Sequence, residues 1–272
     1  MKIDIALRSS SLYNNCGDKT MIQLNSEERE RYQRHLRIPD FGEAGQLKLK
    51  ESAVLIVGAG GLGSAISLYL VAAGIGKIGI VDPDSIELSN LQRQILHDSE
   101  HVGESKVKSA YERLHALNPH SEIVQYPTRF RADTADEIMR DYSILMDGTD
   151  NFETRFLIND LCVKTGKTYI YGAINQFHGQ VSVFNAQHGP CFRCLYPQMP
   201  SAEVIALNTG VGVVGAVPGI IGSMQALECI KILTGLGKPL YGRMLLLDGA
   251  QMEVREVRIR KQNDCPICGV HE

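Results

Sequence analysis

The chain has 272 residues, of which 44% are hydrophobic and 22% are charged, a balance typical of globular proteins. Its 28 Lys and Arg against 31 Asp and Glu give a formal net charge of -3. A dedicated nucleic-acid-binding protein usually carries a basic surplus, so we expect no nucleic-acid partner. Uninterrupted apolar stretches fall short of the roughly 20 residues of a membrane span, and the N-terminus lacks a signal-peptide pattern, so we expect no membrane partner. The odd count of seven cysteines predicts reduced thiols in a cytoplasmic protein.

The predicted elements begin after a Ser- and Asn-rich stretch, residues 1–21, which we expect to form a loose N-terminal tail or an irregular arm. Residues 22–272 are expected to form a single domain. Ser26 is predicted to cap a helix that ends near Arg34, and a second short helix fits residues 43–50. Strands and helices then alternate, which predicts an α/β fold with a mostly parallel, doubly wound sheet and an antiparallel C-terminal extension. The predicted strands are 53–57, 77–81, 122–126, 143–146, 168–171, 180–184, 245–248 and 253–259, and the predicted helices are 64–73, 106–117, 134–140, 152–164 and 216–233.

A glycine-rich turn follows the first predicted strand and precedes a predicted helix. Its sequence, from Gly58 to Gly63, fits the pattern G-x-G-x-x-G, in which backbone N–H groups approach a phosphate. Asp82 lies 19 residues after Gly63, the usual position of a carboxylate that binds ribose hydroxyls. The pattern indicates a nucleotide on a Rossmann-like sheet without distinguishing NAD, FAD and ATP. The alternative is a turn required only for packing the helix on the sheet.

Two cations follow Asp82 and favour phosphorus chemistry over redox chemistry. Arg93 belongs to the polar run at residues 89–94, and Lys106 opens the next predicted helix. A dehydrogenase gains little from several cations near one phosphorus. A phosphoryl- or nucleotidyl-transfer site does gain, because negative charge builds on the phosphate oxygens and the departing pyrophosphate.

A second polar turn, residues 147–151, follows the strand predicted at 143–146. Ligands of open parallel sheets bind at the carboxyl ends of the strands, so Asp150 is a candidate ligand of Mg²⁺. Alternatively, Asp150 caps the helix predicted at 152–164 and needs no metal.

Two C-x-x-C pairs lie about seventy residues apart, Cys191 with Cys194 and Cys265 with Cys268. In a reduced protein this spacing predicts a four-cysteine zinc site, which would be structural because no coordination position is left open. The alternatives are two redox dithiols or two disulfides. Cys162 and Cys229 lie within predicted helices and are expected in the core.

Together, these motifs and the glycine-containing segment at 212–219 resemble the bacterial MoeB/ThiF/HesA family of adenylyltransferases, related to ubiquitin-activating enzymes. The resemblance covers about residues 22–270. It implies adenylation, by ATP and Mg²⁺, of the C-terminal glycine of a small ubiquitin-like sulfur carrier that ends in Gly-Gly, of the molybdopterin-synthase small subunit or thiamine type. Pyrophosphate would leave, and a sulfur donor would convert the activated end to a thiocarboxylate.

The resemblance also assigns roles residue by residue. Asp82 would bind the ribose, Asp150 would bind Mg²⁺, and Arg34 matches an arginine that the family supplies from the partner subunit, which implies a homodimer. The nucleotide-lining glycines would be Gly58, Gly60, Gly61 and Gly63, the phosphate contacts Asn90, Arg93, Gln94 and Lys106, and the zinc ligands Cys191, Cys194, Cys265 and Cys268.

The chain departs from the family at Asn208, where many relatives carry a cysteine in the loop that crosses the carrier's tail. A covalent step through this loop is therefore not expected, and sulfur would come from a separate protein such as a cysteine desulfurase or a rhodanese. Three other functions stay open: adenylation of a peptide C-terminus, an NAD-dependent oxidoreductase resting on the glycine turn and Asp82, and a binding protein without chemistry.

Overall fold

An eight-stranded mixed sheet organises the residues that the computed structural model describes, 22–208 and 210–269. The strand order is β3-β2-β1-β4-β5-β6-β7-β8; β1 to β5 pair in parallel, and β6, β7 and β8 are added antiparallel. This confirms the predicted α/β class and antiparallel extension. The tail expected at 1–21 lies outside the described residues, and the single domain stays a prediction. The strands are β1 Ala53–Val57, β2 Lys77–Val81, β3 Glu122–Tyr126, β4 Ile144–Asp147, β5 Thr168–Asn175, β6 His178–Phe184, β7 Arg243–Asp248 and β8 Glu253–Arg258.

Hydrophobic cores lie on both faces of the sheet. Successive side chains of a strand point to opposite faces, so Val54 and Ile56 of β1 join one core while Leu55 and Val57 join the other. Helices α3, α4, α5 and α10 contribute to the first core, and α6 and α7 to the second, as a doubly wound sheet requires. The helices are α1 Ser26–Arg31, α2 Gln33–Leu36, α3 Gly42–Glu51, α4 Gly61–Ala73, α5 Lys106–Leu117, α6 Ala132–Ile138, α7 Phe152–Thr165, α8 Phe192–Leu195, α9 Ala202–Asn208 and α10 Ala216–Thr234.

Helix α10 is long and apolar enough to cross a membrane by length and composition, which the search for uninterrupted apolar stretches did not predict. It packs closely along α4: a Cβ at Gly222 would lie 2.7 Å from the Leu62 carbonyl oxygen and 2.8 Å from the Ala65 Cβ. Ile221 and Cys229 on the same helix are fully buried. The place of α10 in the core accounts for the buried part of its apolar surface, which is 44% of the apolar window.

Several predicted boundaries are wrong in detail. The cap of α1 is Asn25 rather than Ser26, because the Asn25 side chain accepts from the Glu28 N–H and the Glu28 carboxylate accepts from the Asn25 N–H. The helix predicted to reach Arg34 is divided at Tyr32. Helix α4 begins at Gly61 rather than Ser64, so it starts inside the glycine turn.

Candidate active site

The loops after β1 and β4 meet where the strand order reverses. The chain runs outward from β1 through β2 to β3 and then returns to place β4 on the other side of β1, which opens a crevice at their carboxyl ends. Gly58 has φ +100°, and a Cβ there would lie 2.5 Å from the Gly148 carbonyl oxygen. Only glycine allows this contact between the two loops.

The glycine turn leads directly into α4. Gly60 is the cap residue of α4, and among the described residues no side chain accepts a hydrogen bond from the first N–H groups of the helix. A helix start without a side-chain cap leaves N–H groups for an anion, as phosphate binding requires. A Cβ at Gly63 would overlap the Gly58 carbonyl oxygen, so the turn is closed by backbone packing.

Asp82 supports the glycine turn from the end of β2. It is 5% exposed; its Oδ2 accepts from the Ala59 N–H at 2.8 Å and its Oδ1 accepts from the Asp84 N–H at 2.9 Å. The carboxylate therefore shapes the loop on which a nucleotide would rest. Its contact with ribose stays a prediction.

His97 is a second support of the same turn, and the sequence analysis missed it. Its Nε2 lies 3.0 Å from the Ala59 carbonyl oxygen and its Nδ1 lies 3.0 Å from the Ser109 hydroxyl on α5. Burial lowers the pKa of His97, so the ring is neutral near pH 7. A carbonyl only accepts, which assigns the proton to Nε2 and makes Nδ1 the acceptor of the Ser109 O–H. The one signal in the sequence was its position three residues after Gln94.

The segment with the predicted phosphate contacts lies beside the glycine turn. Gln94 is buried, and a Cβ at Gly60 would lie 3.7 Å from its Nε2. Its Oε1 has no hydrogen-bond partner among the described residues, a cost that a donor on a ligand would remove. Arg93 is half-buried, and its Nη1 donates to the Ser89 carbonyl at 3.1 Å. Asn90 is buried, and its side-chain oxygen accepts from the Glu87 N–H at 3.3 Å.

The start of α10 packs closely against this segment and against the glycine turn. A Cβ at Gly215 would overlap the Gln92 carbonyl oxygen, and a Cβ at Gly61 would lie 3.5 Å from the Arg93 carbonyl oxygen and 3.1 Å from Pro218. The missing side chains of Gly61 and Gly215 thus allow the backbone of residues 92–93 to lie close to both α4 and α10.

Lys106 supplies a cation at the end of β2. Its buried Nζ lies 3.2 Å from Oδ2 of Asp84, whose side chain is 59% exposed, and its backbone N–H donates to the Asp84 carbonyl at 3.0 Å. The ammonium is thus held beside the loop that follows β2, by a carboxylate that can move into solvent.

The loop after β4 presents Asp150 to solvent. The cap of α7 is Asn151, whose Oδ1 accepts from the Thr154 N–H at 2.9 Å, so the interpretation of Asp150 as the cap is wrong. Asp150 is exposed, and Asn151 Nδ2 lies 3.4 Å from its Oδ1. A carboxylate exposed at the switch point fits Mg²⁺, which usually combines one or two carboxylates with phosphate oxygens and waters.

Arg34 lies on α2, where its side chain is exposed and forms no ion pair with the residues that the structure describes. Its neighbours are anchored. Tyr32 OH accepts from Asn118 Nδ2 at 2.8 Å, and His35 Nδ1 donates to Gln46 Oε1 at 2.9 Å. The cation therefore extends from a fixed base into solvent.

The four predicted zinc ligands converge. The Sγ atoms of Cys191, Cys194, Cys265 and Cys268 all lie within 4.8 Å of one another, with 3.6 Å between Cys191 and Cys265 and 3.4 Å between Cys194 and Cys268. All are free thiols, so the disulfide alternative is wrong. Zn–S bonds of about 2.3 Å in a tetrahedron separate sulfurs by about 3.8 Å, and this donor set can therefore hold zinc.

The cysteine cluster is attached to α7. The Phe192 N–H donates to Asn159 Oδ1 at 2.7 Å, and the Arg193 guanidinium donates to both carboxylate oxygens of Asp160 at 2.7 and 2.6 Å. Cys162 and Cys229 are buried in the cores, as predicted, and burial raises the pKa of both thiols. Buried thiols of raised pKa are poor nucleophiles.

Comparison with known proteins identifies the family. The sequence profile of the ThiF family matches residues 32–267. The chain belongs to the ThiF family. It is 45% identical over 248 residues to the sulfur carrier protein adenylyltransferase of Thermus thermophilus, covering 89% of this chain and 92% of that protein. It is 47% identical over 240 residues to the adenylyltransferase and sulfurtransferase MOCS3-1 of Zea mays, covering 88% of this chain and 51% of that protein.

Solved structures support the ThiF-type fold. The crystal structure of E. coli MccB with MccA-N7isoASN superimposes with a TM-score of 0.81 at 21% identity, covering 89% of this chain and 75% of that one. PaaA superimposes with a TM-score of 0.75 at 24% identity, covering 94% of this chain and 79% of that one. At these identities, the likeness concerns the fold alone.

The similarity to adenylyltransferases makes this ThiF-family chain an enzyme of the nucleotidyltransferase class rather than an oxidoreductase or a binding protein without chemistry. The chain spans about half the length of the MOCS3 relatives that it matches, 51% of MOCS3-1 of Zea mays and 54% of the Mus musculus protein.

Proposed function

We propose that this chain uses ATP and Mg²⁺ to adenylate the C-terminal glycine carboxylate of a small ubiquitin-like sulfur-carrier protein. The observation that supports the proposal is that the loops following β1, β2 and β4 carry a helix start without a side-chain cap among the described residues, two cations and an exposed carboxylate. A redox site has no need of this set. The relative at 45% identity is named a sulfur carrier protein adenylyltransferase.

In the proposed reaction, the carrier's terminal carboxylate attacks the α-phosphorus of ATP. The bond from that phosphorus to the bridging oxygen breaks, pyrophosphate leaves with the oxygen, and an acyl adenylate is formed. The uncapped start of α4 and the Gln94 amide bind the nucleotide, and Asp82 meets its ribose. Arg93 and Lys106 stabilise the negative charge that develops on the phosphates, Lys106 by exchanging Asp84 for a phosphate oxygen. Mg²⁺, when held by Asp150, neutralises phosphate charge.

We propose a homodimer in which Arg34 completes the site of the partner subunit. The support is an apolar groove of about 530 Å³ between α4 and α10, lined by Tyr69, Ile95 and Leu227. Each of these three side chains is more than half exposed. Ile95 directly follows Gln94, so a second copy seated in this groove would lie beside the nucleotide site. An anchored, exposed cation on one copy then suits a site that a second copy borders.

Sulfur would come from a separate donor, such as a cysteine desulfurase or a rhodanese. Of the cysteines that the structure describes, two are buried in the cores and four form the cluster, which leaves no thiol in the crevice. The free thiols also fit a reducing, cytoplasmic compartment.

Carrier-dependent exchange of labelled pyrophosphate into ATP tests the proposed reaction. We expect exchange with a small protein ending in Gly-Gly, of the molybdopterin-synthase or thiamine type, and a loss of about 10²–10³-fold in Asp150→Ala, because the Mg²⁺ ligand is removed. Asp133→Ala, which removes an exposed carboxylate from α6, is the matched control. If pyrophosphate exchange occurs with a short peptide and not with a folded carrier, the acceptor is a peptide C-terminus. Absence of exchange with every carrier of the source genome, despite ATP binding, would overturn the proposal.

Mixing two inactive variants tests the composite site. Arg34→Ala and Asp150→Ala each damage a different subunit's contribution to one site. In a mixed dimer one of the two sites keeps both groups, so we expect exchange to return after subunit mixing. If activity stays at the level of the separate variants while a tagged Arg34→Ala subunit captures untagged Asp150→Ala subunits, Arg34 does not act in the partner's site.

A further inference from the structure

A buried ion pair lies directly beneath the loop of Asp150, and the proposed reaction does not use it. Arg155 Nε lies 3.3 Å from Oδ2 of Asp147, and the side chains are 9% and 0% exposed. A buried pair is seldom a gain over apolar packing unless its remaining hydrogen-bonding groups are satisfied. The partners of these remaining groups therefore indicate what the pair does.

Most of the remaining groups bind the residue before Asp150. Asp147 Oδ1 accepts from the Thr149 N–H at 2.9 Å and from the Thr149 hydroxyl at 2.7 Å. Arg155 Nη2 donates to the Thr149 carbonyl at 2.9 Å. Both ends of the Thr149 backbone and its side chain are thus fixed, including the peptide group that joins Thr149 to Asp150.

The pair is itself fixed from three directions. Tyr169 OH on β5 donates to Asp147 Oδ2 at 2.6 Å, and Gln225 Nε2 on α10 donates to the Asp147 carbonyl at 2.9 Å. The guanidinium lies 5.6 Å from the centre of the Tyr171 ring. Burial alone would lower the pKa of Arg155, but the Asp147 carboxylate raises it, and burial together with that carboxylate raises the pKa of Tyr169. Both side chains stay protonated donors at working pH.

We propose that Asp147 and Arg155 are positioning residues that fix the direction in which Asp150 presents its carboxylate to Mg²⁺. The inference rests on the proposed function. Asp150 is exposed, so its own side-chain contacts give it little constraint, and the rigid element is the Thr149 peptide beneath it. Displacement by 1 Å can cost about 10²-fold in rate, which makes such support valuable.

Arg155→Lys separates this role from general stability. Lysine keeps the charge beside Asp147 but lacks the planar fork that spans Asp147 and the Thr149 carbonyl. We expect the Mg²⁺ concentration for half-maximal pyrophosphate exchange to rise about tenfold or more. In the ligand-free protein, the Thr149 amide should exchange its hydrogen with solvent faster than in the wild type. Tyr169→Phe, which removes one donor to Asp147, should show a smaller change of the same kind and serves if Arg155→Lys does not fold.

The matched control is Lys167→Met at the opposite end of the same strands. Lys167 Nζ donates to the Met139, Arg140 and Tyr142 carbonyls, just before β4 begins. This variant should lower Tm without moving the Mg²⁺ midpoint. If the wild-type protein shows no Mg²⁺-dependent pyrophosphate exchange, the proposed function fails and the inference fails with it. Suppose instead that the wild type shows this activity, and that Arg155→Lys and Tyr169→Phe both keep the wild-type Mg²⁺ midpoint and the wild-type rate of hydrogen exchange at the Thr149 amide. Only the inference is then overturned.

Discussion

The carboxyl edge of the parallel strands and the cysteine cluster use polar groups in opposite ways. At the edge, Asp150 is exposed, the start of α4 lacks a side-chain cap, and Gln94 Oε1 is buried without a described partner. In the cluster, four thiols face one another within 4.8 Å. The first region leaves polar groups open to a ligand, whereas the second brings four thiols into a closed set that could hold one metal ion. We therefore expect damage to the edge to change catalysis, and damage to the cluster to change stability.

The largest expected effect breaks the cluster. Cys194→Ser should lose bound zinc and lower Tm by about 10 °C or more, because structural zinc sites contribute several kcal/mol and each kcal/mol corresponds to about 2–4 °C in a chain of this size. The variant should still show a thermal shift with ATP. Cys229→Ala, which alters a buried thiol outside the cluster, should keep one zinc per chain by elemental analysis. If Cys194→Ser lost both its zinc and its thermal shift with ATP, the two regions would not be independent and the comparison would be wrong.

A smaller effect is expected at the close contact between Gly215 and the backbone of Gln92, beside Arg93. Gly215→Ala should lower the rate of pyrophosphate exchange about 10–100-fold, because its Cβ displaces the Gln92 carbonyl and with it Arg93. Gly212→Ala has open space at the Cβ and should stay within about twofold of wild type. Equal rates in the two variants would show that this close contact does not position the arginine.

The smallest effect concerns pH and His97. Burial lowers the pKa of His97, so the unfolded chain binds the proton more readily and stability falls as pH drops below about 6.5. The glutamine of His97→Gln can still donate to Ala59 and accept from Ser109. Between pH 7.5 and 5.5, the Tm of this variant should fall by about 2–4 °C less than the Tm of the wild type. The hydrogen bond to Asp98 raises the pKa of His101, so in the wild type this histidine contributes stability that is lost as pH rises. His101→Gln removes that contribution and should change the pH dependence of Tm in the opposite sense to His97→Gln. Melting curves across this range measure both, and parallel curves for wild type and His97→Gln would contradict the assignment.

The sequence predicted best those elements that local patterns determine. β1, β2, β3 and α5 begin and end where predicted, because apolar runs and turn residues such as Gly and Asn-Pro mark them. Helices α8 and α9, of four and seven residues, were missed. Such short helices are stabilised by tertiary contacts rather than by a periodic pattern of their own.

For the candidate site, the cysteine cluster was predicted because its spacing reflects zinc chemistry. His97 was not predicted as a site residue, because its partner Ala59 is 38 residues away in the sequence. Arg155 was also missed: Asp147 and Thr149 are only 8 and 6 residues away, but no local pattern shows that this ion pair is buried. The sequence left open whether Asp150 caps α7; in the structure Asn151 is the cap, and Asp150 is exposed.

Two glycine motifs that are far apart in the sequence contact the same segment of the chain. Gly215 lies against Gln92, and Gly61 lies against Arg93 and Pro218. Each removes a side chain that would otherwise push on the same arginine-bearing segment. Over evolutionary time, a larger residue at either position could be accommodated only by a shift of that segment. The two motifs should therefore persist or disappear together among functional descendants of this chain.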